Sequence, residues 1–166
     1  MKKKKNILKK SKKLPESSIL YLSVGAESPK VVEELRKEAV DVQWVEVYQP
    51  NSSFQGGLAL RDSLIGGEDA ARTEMTEAQL KETYLSHLKD LLDHMDIWNS
   101  LDLQSSKYVF PGEGKESALR ECYEDAKQLD VLEAKNYCIS GKRDEIVEYL
   151  EKTDISSILV DEVKIK

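Results

Sequence analysis

Apolar and polar positions along this chain switch between the period of a strand and the period of a helix. Residues 18–24 run Ser, Ile, Leu, Tyr, Leu, Ser, Val, nearly continuous apolar sequence of the kind expected in a strand covered on both faces. Val31, Val32, Leu35 and Ala39 then recur at helical spacing. Ser28 stands where an N-cap belongs and Pro29 where a first helical residue belongs, so a short helix is predicted over 29–39. Residues 42–48 alternate as a second strand, which Pro50 ends. Residues 51–75 read as a flexible loop, with Gly56, Gly57, Gly66 and Gly67 bracketing a short apolar segment. Thr76 and Gln79 form the pattern of a capping box. The helix they open is predicted to reach Trp98, with Leu80, Tyr84, Leu85, Leu88, Leu91, Leu92, Met95 and Trp98 on one arc that should pack on a sheet.

The last third repeats the alternation. Residues 107–110 are a short apolar strand, 111–114 a glycine turn, and 115–129 an amphipathic helix. Residues 137–139 are another strand, and Ser140 and Gly141 turn it into a helix over 143–152. Residues 157–160 close as a third strand. Strands alternating with helices of this length are the pattern of a parallel, helix-covered sheet. The predicted fold class is α/β: a three-layer, Rossmann-like sandwich with a mostly parallel sheet of about five strands. Residues 15–166 are expected to form one domain, preceded by a basic, disordered tail over 1–14.

Charge sharpens that division. Of the 25 Lys and Arg, eight lysines fall in residues 1–13, together with none of the 31 Asp and Glu. The remainder therefore holds 17 basic against 31 acidic side chains, a net of −14. So acidic a body repels phosphate backbones and argues against nucleic-acid binding by the folded part. The tail itself suits an anionic membrane or RNA, or serves as a solubilising extension. Ile7 and Leu8 are too short an apolar segment for a secretory signal. Cys122 and Cys138, without CxxC spacing, read as reduced core thiols, and the expected compartment is cytoplasmic.

Parallel sheets bind ligands at the carboxyl ends of their strands. Three turns there supply candidate ligand-binding residues: Gly25 and Ser28, then Gly112, Gly114 and Lys115, then Ser140 and Gly141. None of the three is a dinucleotide fingerprint. Residues 112–115 also lack the spacing of a P-loop, and Glu113 would oppose a phosphate. His87, Asp90 and His94 share a helical stripe that could ligate zinc or iron, although this is not the HExxH pattern; a favourable surface pair explains it as well. With both histidines on one helix, no general base is placed at the strand ends. No catalytic residue, metal or cofactor is assigned.

Residues 140–160, with a glycine before a helix, a polar turn and an apolar strand, are similar to the closing segment of universal stress proteins. Residues 19–32 resemble that family's opening strand and Ser-bearing turn. The resemblance implies a nucleotide-binding α/β sheet and a homodimer. Two departures bear on the nucleotide. Val24 and Gly25 stand where the family carries an Asp, and Asp161, Glu162 and Val163 stand where its glycine signature would begin. The expectation is therefore a relative without ATP binding: a non-enzymatic regulatory or scaffolding domain acting through protein–protein contacts. The alternatives are a small-ligand or nucleotide sensor or enzyme with loop 51–67 as a lid, and a peripheral-membrane or assembly adaptor led by the lysine tail.

Overall fold

The computed structural model describes residues 2–61, 72, 74–100 and 115–165, and within these the side chains of Lys2, Lys115 and residues 98–100 are excluded. The chain divides into two compact units. The first comprises Met1–Tyr48, Gly57–Met75 and Leu132–Lys166; the second comprises Gln49–Gly56 and Thr76–Val131.

The first unit is built on a five-stranded sheet. Its elements in chain order are α1 (Lys2–Ser11), β1 (Ile19–Val31), α2 (Val32–Leu35), β2 (Asp41–Val47) and β3 (Gly57–Ala59). After the second unit come β4 (Glu133–Lys142), α6 (Arg143–Lys152) and β5 (Ile155–Lys164). The strand order is β3-β2-β4-β1-β5, and every ladder is antiparallel. This corrects the expected mostly parallel, Rossmann-like sheet. The helical crossovers exist, and β1 and β2 do run in the same direction, as do β4 and β5. But β4 lies between the first pair and β1 between the second. The two β-α-β units are split and interlocked, in the βαββαβ order of a ferredoxin-like sheet, with β3 added at one edge.

One sheet face carries the core. Val42, Ile139 and Leu22 are cross-strand neighbours, as are Val45, Tyr137, Val24 and Ile158, and all of these are buried. Val32 and Leu35 of α2, and Ile146, Val147, Tyr149 and Leu150 of α6, are buried as well. The hydroxyls of Tyr137 and Tyr149 meet at 2.7 Å, tying α6 to β4. Helix α6 has the span predicted from sequence, and the Glu145 carboxylate accepts the Lys142 N–H at 2.8 Å to close its first turn.

Most of the N-terminal lysines lie in a helix. Residues 2–11 form α1, which packs against α6 and β5. Lys4 Nζ donates to the Thr153 carbonyl at the C-terminus of α6 (2.7 Å), and Lys12 pairs with Glu151 at 2.6 Å. A cation at the end of a helix that exposes carbonyls is favourably placed.

In the second unit, α3 (Glu77–Asp93) starts at the capping box foreseen at Thr76 and Gln79 and is followed by α4 (Met95–Ser100). Its buried residues, Leu80, Tyr84 and Leu88, belong to the predicted arc, whereas Leu91 is only half-buried. Helix α3 packs with α5 (Lys115–Lys127), whose Leu119, Cys122 and Ala126 are buried. The strand expected at 107–110 and the turn holding Gly112 and Gly114 lie outside the described residues.

Candidate functional site

The second face of the sheet has a different character. Trp44, Cys138, Ser23 and Leu159 form one cross-strand row, and Asn136, Gly25 and Ser157 form the next. Together with Lys3 of α1, these seven residues line a depression of about 300 Å3. Its floor depends on Gly25. A Cβ there would stand 2.3 Å from Ser157 Oγ and 3.1 Å from Asn136 Oδ1, so only glycine lets those side chains lie across the strand. The Trp44 indole lies as closely over Gly57 of β3, whose Cβ would come 2.4 Å from Cζ2.

The polar groups here are engaged with one another. Ser23 Oγ donates to Asp161 Oδ2 (2.8 Å) and stands 3.6 Å from Cys138 Sγ, while Asn136 Nδ2 donates to Glu46 at 2.8 Å. The exposed part of this row offers a flat apolar group, the Trp44 indole, beside the hydroxyl of Ser23 and the amide of Asn136. A second cavity, about 270 Å3, lies among Arg36, Glu38, Asp41 and Arg61. Both of its arginines are paired: Arg61 with Asp41, and Arg36 with Glu33 at 2.9 Å, Arg36 also donating to the Met75 carbonyl.

The sheet ends at β5, which is hydrogen-bonded on one side to β1 and is an edge strand among the described residues. Leu159, Val160 and Val163 along it, and Ile165 just past its end, are 56%, 37%, 39% and 65% exposed. Apart from Ile97 and Val131, these are all the exposed large apolar side chains among the described residues.

The residues singled out from sequence do not converge. Gly25 lies within β1, on the floor just described. Ser28 lies in an irregular stretch of β1 between Gly25 and Lys30 and caps no helix; the N-cap position of α2 is Val31. Ser140 is buried inside β4 rather than in a turn, and its Oγ accepts a hydrogen bond from Gln43 Nε2 at 2.9 Å. Gly141, opposite Leu20, faces α6, where a Cβ would stand 3.2 Å from Glu145 Oε2. Lys115 opens α5. Among the described residues no cluster of three or more His, Cys, Asp or Glu could hold a metal. His94 Nδ1 sits 2.8 Å from the Asp90 carbonyl instead.

A buried polar cluster in the second unit was not foreseen. Gln49 accepts hydrogen bonds from Tyr84 (2.6 Å) and the Cys122 thiol (3.1 Å), and donates to the Cys122 carbonyl and Asp125, both at 2.9 Å. Tyr84 Oη accepts the Gly56 N–H at 3.0 Å. Burial, and then the neighbouring Cys122, push the Tyr84 phenol up; burial likewise raises the Cys122 thiol. Burial also raises Tyr137 and Tyr149 in the first unit. An acid whose pKa is raised by folding contributes stability below its unfolded pKa and loses that contribution as pH climbs toward the folded one. The urea midpoint should therefore fall as pH rises above about 9, where unfolded thiols and then phenols give up their protons. A midpoint constant from pH 8 to about 11 would contradict this burial.

Compared with known proteins, the chain matches no family model, no curated protein and no solved structure. Function has to be argued from the surfaces themselves. Sequence reasoning missed the row through Trp44 and the exposed edge of β5. The available signal was a run of apolar residues at 158–160, continued by Val163 and Ile165 among charges.

Proposed function

We propose that this chain is a non-enzymatic interaction domain, regulatory or scaffolding in role, that takes a partner protein as an added strand along β5. The observation that carries this is the edge itself: a ten-residue strand at the end of the sheet among the described residues, with Leu159, Val160 and Val163 exposed along it and Ile165 exposed just past it. Natural proteins usually blunt such edges, because unpaired backbone groups flanked by apolar side chains template further pairing. Strand addition uses them: main-chain hydrogen bonds supply affinity and alternate side chains supply specificity.

A second copy is the simplest partner. An antiparallel, two-fold pairing centred on Val163 sets Glu162 of each copy opposite Lys164 of the other, while centring on Asp161, Glu162 or Lys164 would oppose like charges. The resemblance of residues 19–32 and 140–160 to universal stress proteins supports a regulatory role of this kind, although the parallel sheet it implies does not form. Sedimentation velocity tests the proposal. The expected result is a dimer that Val163→Lys converts to monomer. A monomer at every concentration removes the second copy as partner, and a dimer indifferent to Val163→Lys removes β5 as the edge used.

A small-ligand sensor is a second reading, favoured by the depression beside Trp44. It would place the ligand on the sheet face, not at strand ends.

A further inference from the structure

We propose that the outward face of α1 is a docking surface for an anionic lipid bilayer. At 100° per residue, Lys4, Ile7, Leu8 and Ser11 fall on one side of the helix. Those are the positions the rest of the unit covers: Ser11 is 3% exposed, and the other three are half-buried. Lys5, Lys9 and Lys10 occupy the opposite side, with Lys3 at its margin, where it also borders the depression beside Trp44, and all four are exposed. Residues 2–13 contain no acid to neutralise them. The inward contacts of Lys4 with Thr153 and of Lys12 with Glu151 fix the direction in which the helix presents this face.

Four ammonium groups on one face, spread over about 10 Å of helix, match a surface of diffuse negative charge. Clusters of this size on a helix are drawn to anionic headgroups within a Debye length. Ile7 and Leu8 turn inward, so no apolar side chain of α1 is aimed at the acyl region, and the attachment is electrostatic and salt-sensitive. Nucleic acid fits less well. Residues 1–13 hold neither an aromatic side chain for base stacking nor an arginine fork for bidentate phosphate contact. The net −14 on the remaining residues also repels a polyanion that extends past the helix.

The test is co-sedimentation of the full chain with phosphatidylcholine vesicles, with and without about one-third phosphatidylserine. Binding is expected only to the phosphatidylserine vesicles, with loss at high salt. Each of Lys3→Gln, Lys5→Gln, Lys9→Gln and Lys10→Gln should weaken it about fivefold. The quadruple variant should weaken it more than about a hundredfold while keeping the wild-type circular dichroism, because the bonds of Lys4 to Thr153 and of Lys12 to Glu151 that hold the segment are kept. If the quadruple variant folds poorly, the four single variants carry the test. Equal binding to neutral vesicles, equal binding by the single variants, or binding to polyuridylate without binding to the charged vesicles would each overturn the proposal.

Discussion

Replacing Gln49 with Leu is expected to destabilise the second unit by roughly 3–5 kcal/mol, because it strands several buried polar groups at once. Gln49 is fully buried, and its amide makes four hydrogen bonds: to Tyr84 Oη, the Cys122 thiol, the Cys122 carbonyl and Asp125. Leucine has a similar volume and returns none of them. Asp125 is half-buried and can turn to water, but Tyr84 is 1% exposed and its O–H loses its acceptor. Tyr84→Phe should cost less, about 1–3 kcal/mol, since it deletes the hydroxyl and leaves the Gly56 N–H as the main orphan. The two changes share a bond, so the double variant should cost less than their sum. Urea denaturation by circular dichroism gives the totals, and hydrogen exchange in α3 and α5 locates the loss. A Gln49→Leu penalty below about 1 kcal/mol would mean that the cluster is not closed as described.

Local chemistry was legible where it involved neighbours in sequence. Helix α6 has the predicted span, and the Thr76–Gln79 capping box forms, with Thr76 N–H donating to Gln79 Oε1 at 2.8 Å. Local signals failed where a distant strand outbid them. Ser28 and Pro29 look like a helix start. Instead Lys30 and Val31 pair with Ala134 and Glu133, and the Val32 N–H reaches the Leu132 carbonyl at 2.8 Å. Pro29, which has no N–H to give a ladder, falls within the irregular stretch between Gly25 and Lys30. Alternation of strand and helix fixes the direction of the strands joined by a helix, but not what lies between them, and two inserted strands turned every ladder antiparallel.

The candidate surface was less legible, for a related reason. In sequence Gly25 looks like part of a turn after a strand, yet its lack of a Cβ matters because Ser157 and Asn136, more than a hundred residues away in sequence, cross over it. In α1 the inward stripe of Lys4, Ile7, Leu8 and Ser11 was present in the sequence. Eight lysines obscured it, and its acidic counterpart, Glu151, lies far along the chain.

Leu22→Ala is expected to cost about 3–5 kcal/mol, and the residues beside it test the one-faced character of β1. Leu22 is wholly buried, with Ile139 opposite it on one side and Val160 on the other. Strands β4 and β5 hold the backbone on both flanks, so a cavity there cannot collapse easily, which places the loss near the upper end for Leu→Ala. Ser23 points to the other face and is half-buried there, giving up its bond to Asp161 and a weak contact with the Cys138 thiol when replaced. Ser23→Ala should therefore cost about 1 kcal/mol or less. Leu159→Ala, the same chemical change as Leu22→Ala but at a side chain 56% exposed, should also cost under about 1 kcal/mol. A parallel sheet covered by helices on both faces would bury Ser23 and Leu159 as deeply as Leu22. Urea midpoints for the three variants thus separate the two architectures: one large loss beside two small ones supports the antiparallel sheet, and three comparable losses would overturn it.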